Sequence, residues 1–167
     1  MDLTVFHRLD MVIVCGLPNS GKSHFSAKHF KDMGRERINR KELRKLLYSM
    51  THFGDKWDGA NFDEKFDHVV KHTEKKIIEY YFRENKKILV DNTSVTALSR
   101  RQYVNMAKEQ GKSVGVIFIN TPVSRCIERN HRNEDNVSDM VISNLYAQIA
   151  LPDKSEGFRE LLVLNDY

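Results

Sequence analysis

The segment Gly16-Leu17-Pro18-Asn19-Ser20-Gly21-Lys22-Ser23 has the spacing G-x-x-x-x-G-K-S, which suits chemistry on phosphate groups. Two glycines let the backbone wrap an anion with its N–H groups turned inward, and a helix opening near Lys22 adds its positive end. Gly16, Asn19, Ser20 and Gly21 would form the cradle. The Lys22 ammonium would reach the β- and γ-phosphates, and the Ser23 hydroxyl would ligate Mg²⁺.

Three other groups of residues carry chemistry of the same kind. Asp91 closes the apolar run Lys87-Ile88-Leu89-Val90, where an acid suits the organisation of Mg²⁺, directly or through water. The alternative is that Asp91 caps the turn Asp91-Asn92-Thr93-Ser94. Arg125, Arg129 and Arg132 are spaced by four and then three, which puts them on one face of a helix. Arginine forks there could close over a transferring phosphoryl group. The alternative is a solvated face neutralised by Glu128, Glu134 and Asp135. Lastly, Ile38-Asn39-Arg40-Lys41-Glu42-Leu43-Arg44 spans the end of one strand and the start of a helix. Asn39 is a good N-cap, and Glu42 and Arg44 are candidates for receiving a proton from an attacking hydroxyl and for gripping its carrier.

The remaining polar side chains are less specific. His24, His29, His52, His68, His72 and His131 have no metal-ligand spacing; His68 and His72 are four apart but lack an accompanying H-E-x-x-H. Trp57, between Phe53 and Phe62, could stack a base, and a core anchor is the plainer expectation.

These residues need a scaffold that gathers strand ends. Short strands alternate with longer helical stretches, which predicts an α/β fold with a mainly parallel sheet and crossover helices. Strands are expected at 11–15, 37–39, 87–90, 114–119 and 161–164. Helices are expected at 23–33, 41–48, 62–84, 99–110, 123–132 and 138–149, with Gly111 and Pro152 as stops and 51–61 as a loop. Ligands gather beyond the carboxyl ends of such strands, and those ends are Gly16, Asn39, Asp91 and Asn120.

Bulk properties agree. The chain's 167 residues predict one domain over residues 1–167 with a real core. No apolar run approaches the ~20 residues of a membrane span, and residues 1–10 lack the apolar stretch of a signal peptide. Cys15 and Cys126 make no metal pattern, so a reduced, cytoplasmic setting is expected. The net charge is +4, and between Lys28 and Lys45 eight Lys or Arg face three acids. That basic stretch beside a phosphate site suits a polyanionic partner or, equally, a solvated helix face.

Taken together, these segments resemble a polynucleotide 5′-hydroxyl kinase of the phage type, within the wider group of small P-loop kinases. The resemblance runs through Gly16 to Ser23, Ile38-Asn39-Arg40 with Arg44, Leu89-Val90-Asp91-Asn92-Thr93, Arg100-Arg101, Cys126-Ile127-Glu128-Arg129-Asn130, and Pro152 with Glu156-Gly157-Phe158. It implies a P-loop kinase fold with a helical lid, ATP and Mg²⁺ as cofactors, and the 5′-hydroxyl end of DNA or RNA as acceptor. Lys22 and Ser23 would bind the ATP phosphates and Mg²⁺. Asn39, Arg40 and Arg44 would lie on the acceptor side, Arg44 holding a phosphate. Asp91 would orient the acceptor or the metal, and Arg125, Arg129 and Arg132 would belong to the lid. If the phage resemblance extends to origin, the setting is the host cytoplasm.

One position departs from the pattern. The family's general base is an Asp three residues before the acceptor-binding arginine, and here that position is Lys41. An ammonium is a poor base at neutral pH. Either Glu42 supplies the carboxylate by a one-residue shift, or the substrate differs and Lys41 binds an anion, or transfer is weak and the protein is a nucleotide-dependent nucleic-acid binder. The first is preferred, because a loose transition state depends more on positioning than on base strength. A small-molecule or aminoacyl-RNA kinase is the other enzyme reading. The residues do not distinguish DNA from RNA, nor set the oligomeric state.

Overall fold

The computed structural model describes residues 1–167. Five strands, β1 (Met11–Gly16), β2 (Arg35–Ile38), β3 (Lys87–Asp91), β4 (Val114–Asn120) and β5 (Glu160–Asn165), form one sheet in the order β2-β3-β1-β4-β5. Every pairing is parallel. The helices are α1 (Thr4–Arg8), α2 (Lys22–Phe30), α3 (Arg40–Thr51), α4 (Glu64–Arg83), α5 (Ala97–Glu109), α6 (Val123–His131) and α7 (Asp139–Ala147), with 3₁₀ turns at Gly59–Asn61 and Lys154–Glu156.

The strand sequences explain their places. All six residues of β1 are buried, as are six of the seven in β4, because helices cover both faces of a parallel sheet. Alternation along β1 sends Met11, Ile13 and Cys15 to a core shared with Ile78 and Phe82 of α4 and Val104 of α5. Val12 and Val14 enter the opposite core with Phe6 of α1 and Phe25 of α2. A third cluster, Leu17, Val95, Cys126 and Ile142, seats α6 and α7 above the carboxyl edge of the sheet. This helical pair is the lid. No helix is long and apolar enough to cross a membrane.

Departures from the expected elements have local causes. α1 has only five residues, too few for a helical repeat to show. It is held by Arg35, which donates to the carbonyls of Phe6 at 2.6 Å and Leu9 at 2.7 Å. The residues expected to form a loop at 51–61 include Thr51, which closes α3 with its hydroxyl on the Leu47 carbonyl, and the 3₁₀ turn, which Asp58 caps.

Two segments far apart in sequence meet in the core. Arg100 is fully buried and donates to both carboxylate oxygens of Glu156, at 2.8 and 2.6 Å, and to the carbonyl of Val95 at 3.0 Å. Losing one partner strands the other charge in the interior. Arg100→Met is therefore expected to lower the unfolding free energy by about 3–5 kcal/mol, read from urea titration. A loss below about 1 kcal/mol would show that the pair is merely tolerated.

Candidate active site

The carboxyl edge of the sheet collects the polar residues. β1 runs directly into the loop from Gly16 to Gly21, and α2 begins at Lys22. The loop can turn tightly because Gly16, Asn19 and Gly21 have φ of 148°, 59° and 102°. A Cβ on Gly16 would lie 2.4 Å from the Ile119 carbonyl oxygen, so β4 approaches the loop too closely for any side chain there. Lys22 is buried, and its Nζ donates to the Leu17 carbonyl at 2.6 Å. Burial pushes its pKa down to about 8, while the nearby Asp91 carboxylate opposes that shift. Ser23 is exposed at the mouth of the loop, and Ser20 is buried beneath it.

Asp91 is fully buried at the end of β3. Its Oδ2 accepts from Arg37 Nε at 2.9 Å and Nη2 at 2.7 Å, whereas its Oδ1 has no hydrogen-bond partner. Arg37 continues outward to Glu42, with both terminal nitrogens 3.0 Å from the two carboxylate oxygens. The result is a chain, Asp91–Arg37–Glu42, across the ends of β3, β2 and α3. The start of α3 is tied to the same edge. Asn39 caps the helix through Glu42 N–H at 3.0 Å and donates to the Asp91 carbonyl at 2.7 Å.

The other residues expected on the acceptor side go in different directions. Arg40 turns inward, donating to Glu74 at 2.5 and 2.9 Å and to the Tyr103 hydroxyl at 2.8 Å. Arg44 donates to Asp67 at 2.6 Å and lies 5.3 Å over the Trp57 ring, so Trp57 braces an arginine in this structure. Lys41 leaves the helix toward the lid. Its Nζ is 2.8 Å from Asp135 Oδ2, and Lys45 Nζ is 2.6 Å from the same oxygen. Partial burial alone would raise the Asp135 carboxyl; hydrogen bonds from Lys41 and Lys45 outweigh it and hold it below the ordinary aspartate value.

The lid faces the loop. Arg129 donates to the Tyr167 carbonyl at 3.0 Å and to the Asn19 carbonyl at 3.5 Å, so it stands over the phosphate cradle. Arg125 pairs with Asp166, and the exposed Arg132 pairs with Glu128 at 2.6 Å. Of the three arginines, Arg129 alone is brought to the loop. Asn130, almost fully buried, accepts from Asn19 Nδ2 at 2.9 Å and from Val137 N–H at 3.0 Å. Asn133 then donates to Asn19 Oδ1 at 3.1 Å.

Arg37 stands in the sequence only as a strand residue, Asn130 only as part of the resembling segment 126–130, Asp135 only as a neutralising charge, and Asn133 carries no signal there. A polar arginine inside a strand was the visible signal for Arg37. Nothing in the spacing linked the lid turn to the loop.

A family model described as an AAA domain, AAA_33, matches residues 11–152. The L-seryl-tRNA(Sec) kinase of Methanococcus maripaludis is 25% identical over 142 residues, which are 85% of this chain and 53% of that protein. The bifunctional polynucleotide phosphatase/kinase of Schizosaccharomyces pombe is 21% identical over 154 residues, 89% of this chain and 32% of that protein. The chain thus matches about half of the first of these relatives and a third of the second. A solved Pnkp1/Rnl/Hen1 RNA repair complex contains a chain of like fold, with a TM-score of 0.67 at 17% identity over 83% of this chain and 43% of that one.

Proposed function

Because this chain belongs to the AAA_33 AAA domain family of P-loop kinases, we propose that it transfers the γ-phosphate of ATP to a hydroxyl of a nucleic acid, foremost a 5′-hydroxyl end. The observation that carries this reading is the tie between the two halves of the site. The cap of α3 is bonded to the Asp91 backbone, so the acceptor-side helix opens on the same edge as the phosphate loop.

On the donor side, the loop amides and the α2 N-terminus bind the β- and γ-phosphates. Lys22 exchanges its Leu17 carbonyl for phosphate oxygens, and Arg129 approaches from the lid. In the reaction the γ-phosphorus bond to the β–γ bridging oxygen breaks and a bond to the acceptor oxygen forms. ADP leaves with the electron pair, and the hydroxyl proton passes to Glu42. Asp91 and Arg37 hold Glu42 in place, so Arg37 is a positioning residue.

The donor set fits Mg²⁺. The unpartnered Asp91 Oδ1 and the exposed Ser23 hydroxyl are hard oxygens that would share the ion with phosphates and water. When bound, the ion would neutralise charge on the transferring phosphates.

The test is transfer of labelled γ-phosphate to a short 5′-hydroxyl oligonucleotide. Product that disappears with Lys22→Ala supports the reading, and no product despite ATP binding overturns it for this acceptor. Glu42→Gln should slow transfer by about 10- to 100-fold with ATP affinity unchanged, at or below the low end of general-base effects, as a loose transition state implies. A wild-type rate would remove Glu42 as proton acceptor. The tRNA kinase relative, at 25% identity, favours one second reading, an aminoacyl-RNA acceptor. Charged tRNA run beside the oligonucleotide separates the two. For either polyanion the acceptor KM should rise steeply with salt, as it would not for a neutral small molecule.

A further inference from the structure

The face of α3 that carries Lys41 and Lys45 has unbalanced charge. α3 contains one acid, Glu42, and both of its carboxylate oxygens are taken by Arg37. Arg44, one turn along, is committed to Asp67. Lys41 and Lys45, four residues apart, therefore converge on an anion from outside the helix, and in this structure that anion is Asp135 of the turn between α6 and α7. Both ammonium groups meet a single oxygen, Oδ2, and Lys41 also donates to the Asp135 backbone carbonyl at 3.3 Å. Two positive charges face one negative charge, leaving one in excess. The three side chains are 42%, 38% and 50% exposed, so the contact is open to water and to incoming ions.

We propose that Lys41 and Lys45 form a phosphate subsite for the acceptor, and that Asp135 is a resident anion which the acceptor phosphate displaces. A nucleic-acid phosphodiester offers two free oxygens, one to each ammonium group, where both now share a single oxygen of Asp135, and the terminal phosphomonoester of a nucleoside 3′-monophosphate adds the second negative charge that matches them. Displacing Asp135 also removes a tether of the lid. The same turn is bonded to the phosphate loop through Asn133 and Asn19, and Asp135 N–H is held by Asn133 Oδ1 at 3.3 Å. Filling the subsite thus loosens the turn over the loop. Lys41 thereby acquires a role, since the position that lacks a base holds a cation that reads acceptor charge. The proposal rests on the kinase reading in one respect, that the acceptor enters along α3.

The test uses the full chain and three probes: a nucleoside 3′-monophosphate with a free 5′-hydroxyl, the matching nucleoside, and inorganic phosphate. Binding is measured by calorimetry, and amide exchange is followed over residues 132–138. The nucleotide should bind wild type, speed exchange in the turn and lose affinity by about tenfold or more in Lys41→Ala/Lys45→Ala. The nucleoside should do neither. Inorganic phosphate should act like the nucleotide but more weakly if the subsite reads the phosphate alone. Asp135→Asn, nearly the same in shape, should bind the nucleotide about three- to tenfold more tightly, with the turn already fast to exchange. Equal affinity in Asp135→Asn and wild type, a turn that becomes more protected on binding, or no binding to either protein would each overturn the proposal. The kinase reading fails separately. The binding pattern without phosphoryl transfer would leave the subsite standing and remove this acceptor. Transfer with an unchanged KM in the double lysine variant would do the reverse.

Discussion

Lys22→Ala is expected to cut phosphoryl transfer by about 10³-fold at saturating ATP, the scale of losing a preorganised charge aimed at a transferring group. Two features of Lys22 set this size. Its nitrogen lies inside the loop on the Leu17 carbonyl, and water is kept from it, so its charge acts in a poorly screened place. The same burial holds its pKa near 8 in the free protein, against an ordinary 10.5. Phosphates would restore the charged form. ATP binding should therefore take up little proton at about pH 7 and a large fraction of one at about pH 9, read by calorimetry in two buffers of different ionisation enthalpy. The sign on folding is opposite to that of a stabilised lysine. The unfolded chain binds the extra proton between about 8 and 10.5, so through this group alone stability rises with pH across that window. Equal proton uptake at both pH values, or a turnover within about threefold of wild type in Lys22→Ala, would take Lys22 out of the mechanism.

Asp91→Asn should produce the second-largest loss, about 10²- to 10³-fold in kcat with a smaller change in ATP affinity. The amide removes the charge from Oδ1, the buried acceptor oxygen without a partner, and from Oδ2, which anchors Arg37. Arg37→Met separates these effects. It frees Glu42 and leaves the Asp91 carboxylate in place, so its transfer rate should resemble that of Glu42→Gln rather than that of Asp91→Asn. If Arg37→Met is as damaging as Asp91→Asn, the Asp91 carboxylate acts only by holding the arginine.

The parts of the molecule that could be read in the chain are those whose signal is local. Met11 to Cys15 and Val114 to Ile119 are continuous apolar runs because the sheet is covered on both faces. The phosphate loop announces itself through two glycines and a lysine, since backbone conformation there excludes other residues. What stayed hidden depends on charges that meet across the fold. Arg37 and Asp91 are 54 residues apart, and Lys41 and Asp135 are 94 apart. No periodicity encodes such pairs, so the arginine read as part of a short strand and the lid acid as a neutralising neighbour. Lys41 illustrates the difference. By type it is an unsuitable base, and the role proposed for it rests on the lid turn beside it, which no spacing in the chain encodes.

The pairing of Arg100 with Glu156 also bears on how the chain acquires its shape during synthesis. The two residues are 56 positions apart, and Glu156 lies just before β5. Until that segment leaves the ribosome, the Arg100 guanidinium has no carboxylate to enter the interior with, and the flank of β4 that receives β5 is bare. β1 to β4 and the phosphate loop precede that segment in the chain, and α5, which carries Arg100, lacks its ion-pair partner until the segment arrives. β1 to β4 are therefore expected to wait, with one edge open, for the segment that carries Glu156 and β5, and chaperones that shield bare strand edges would act in that interval.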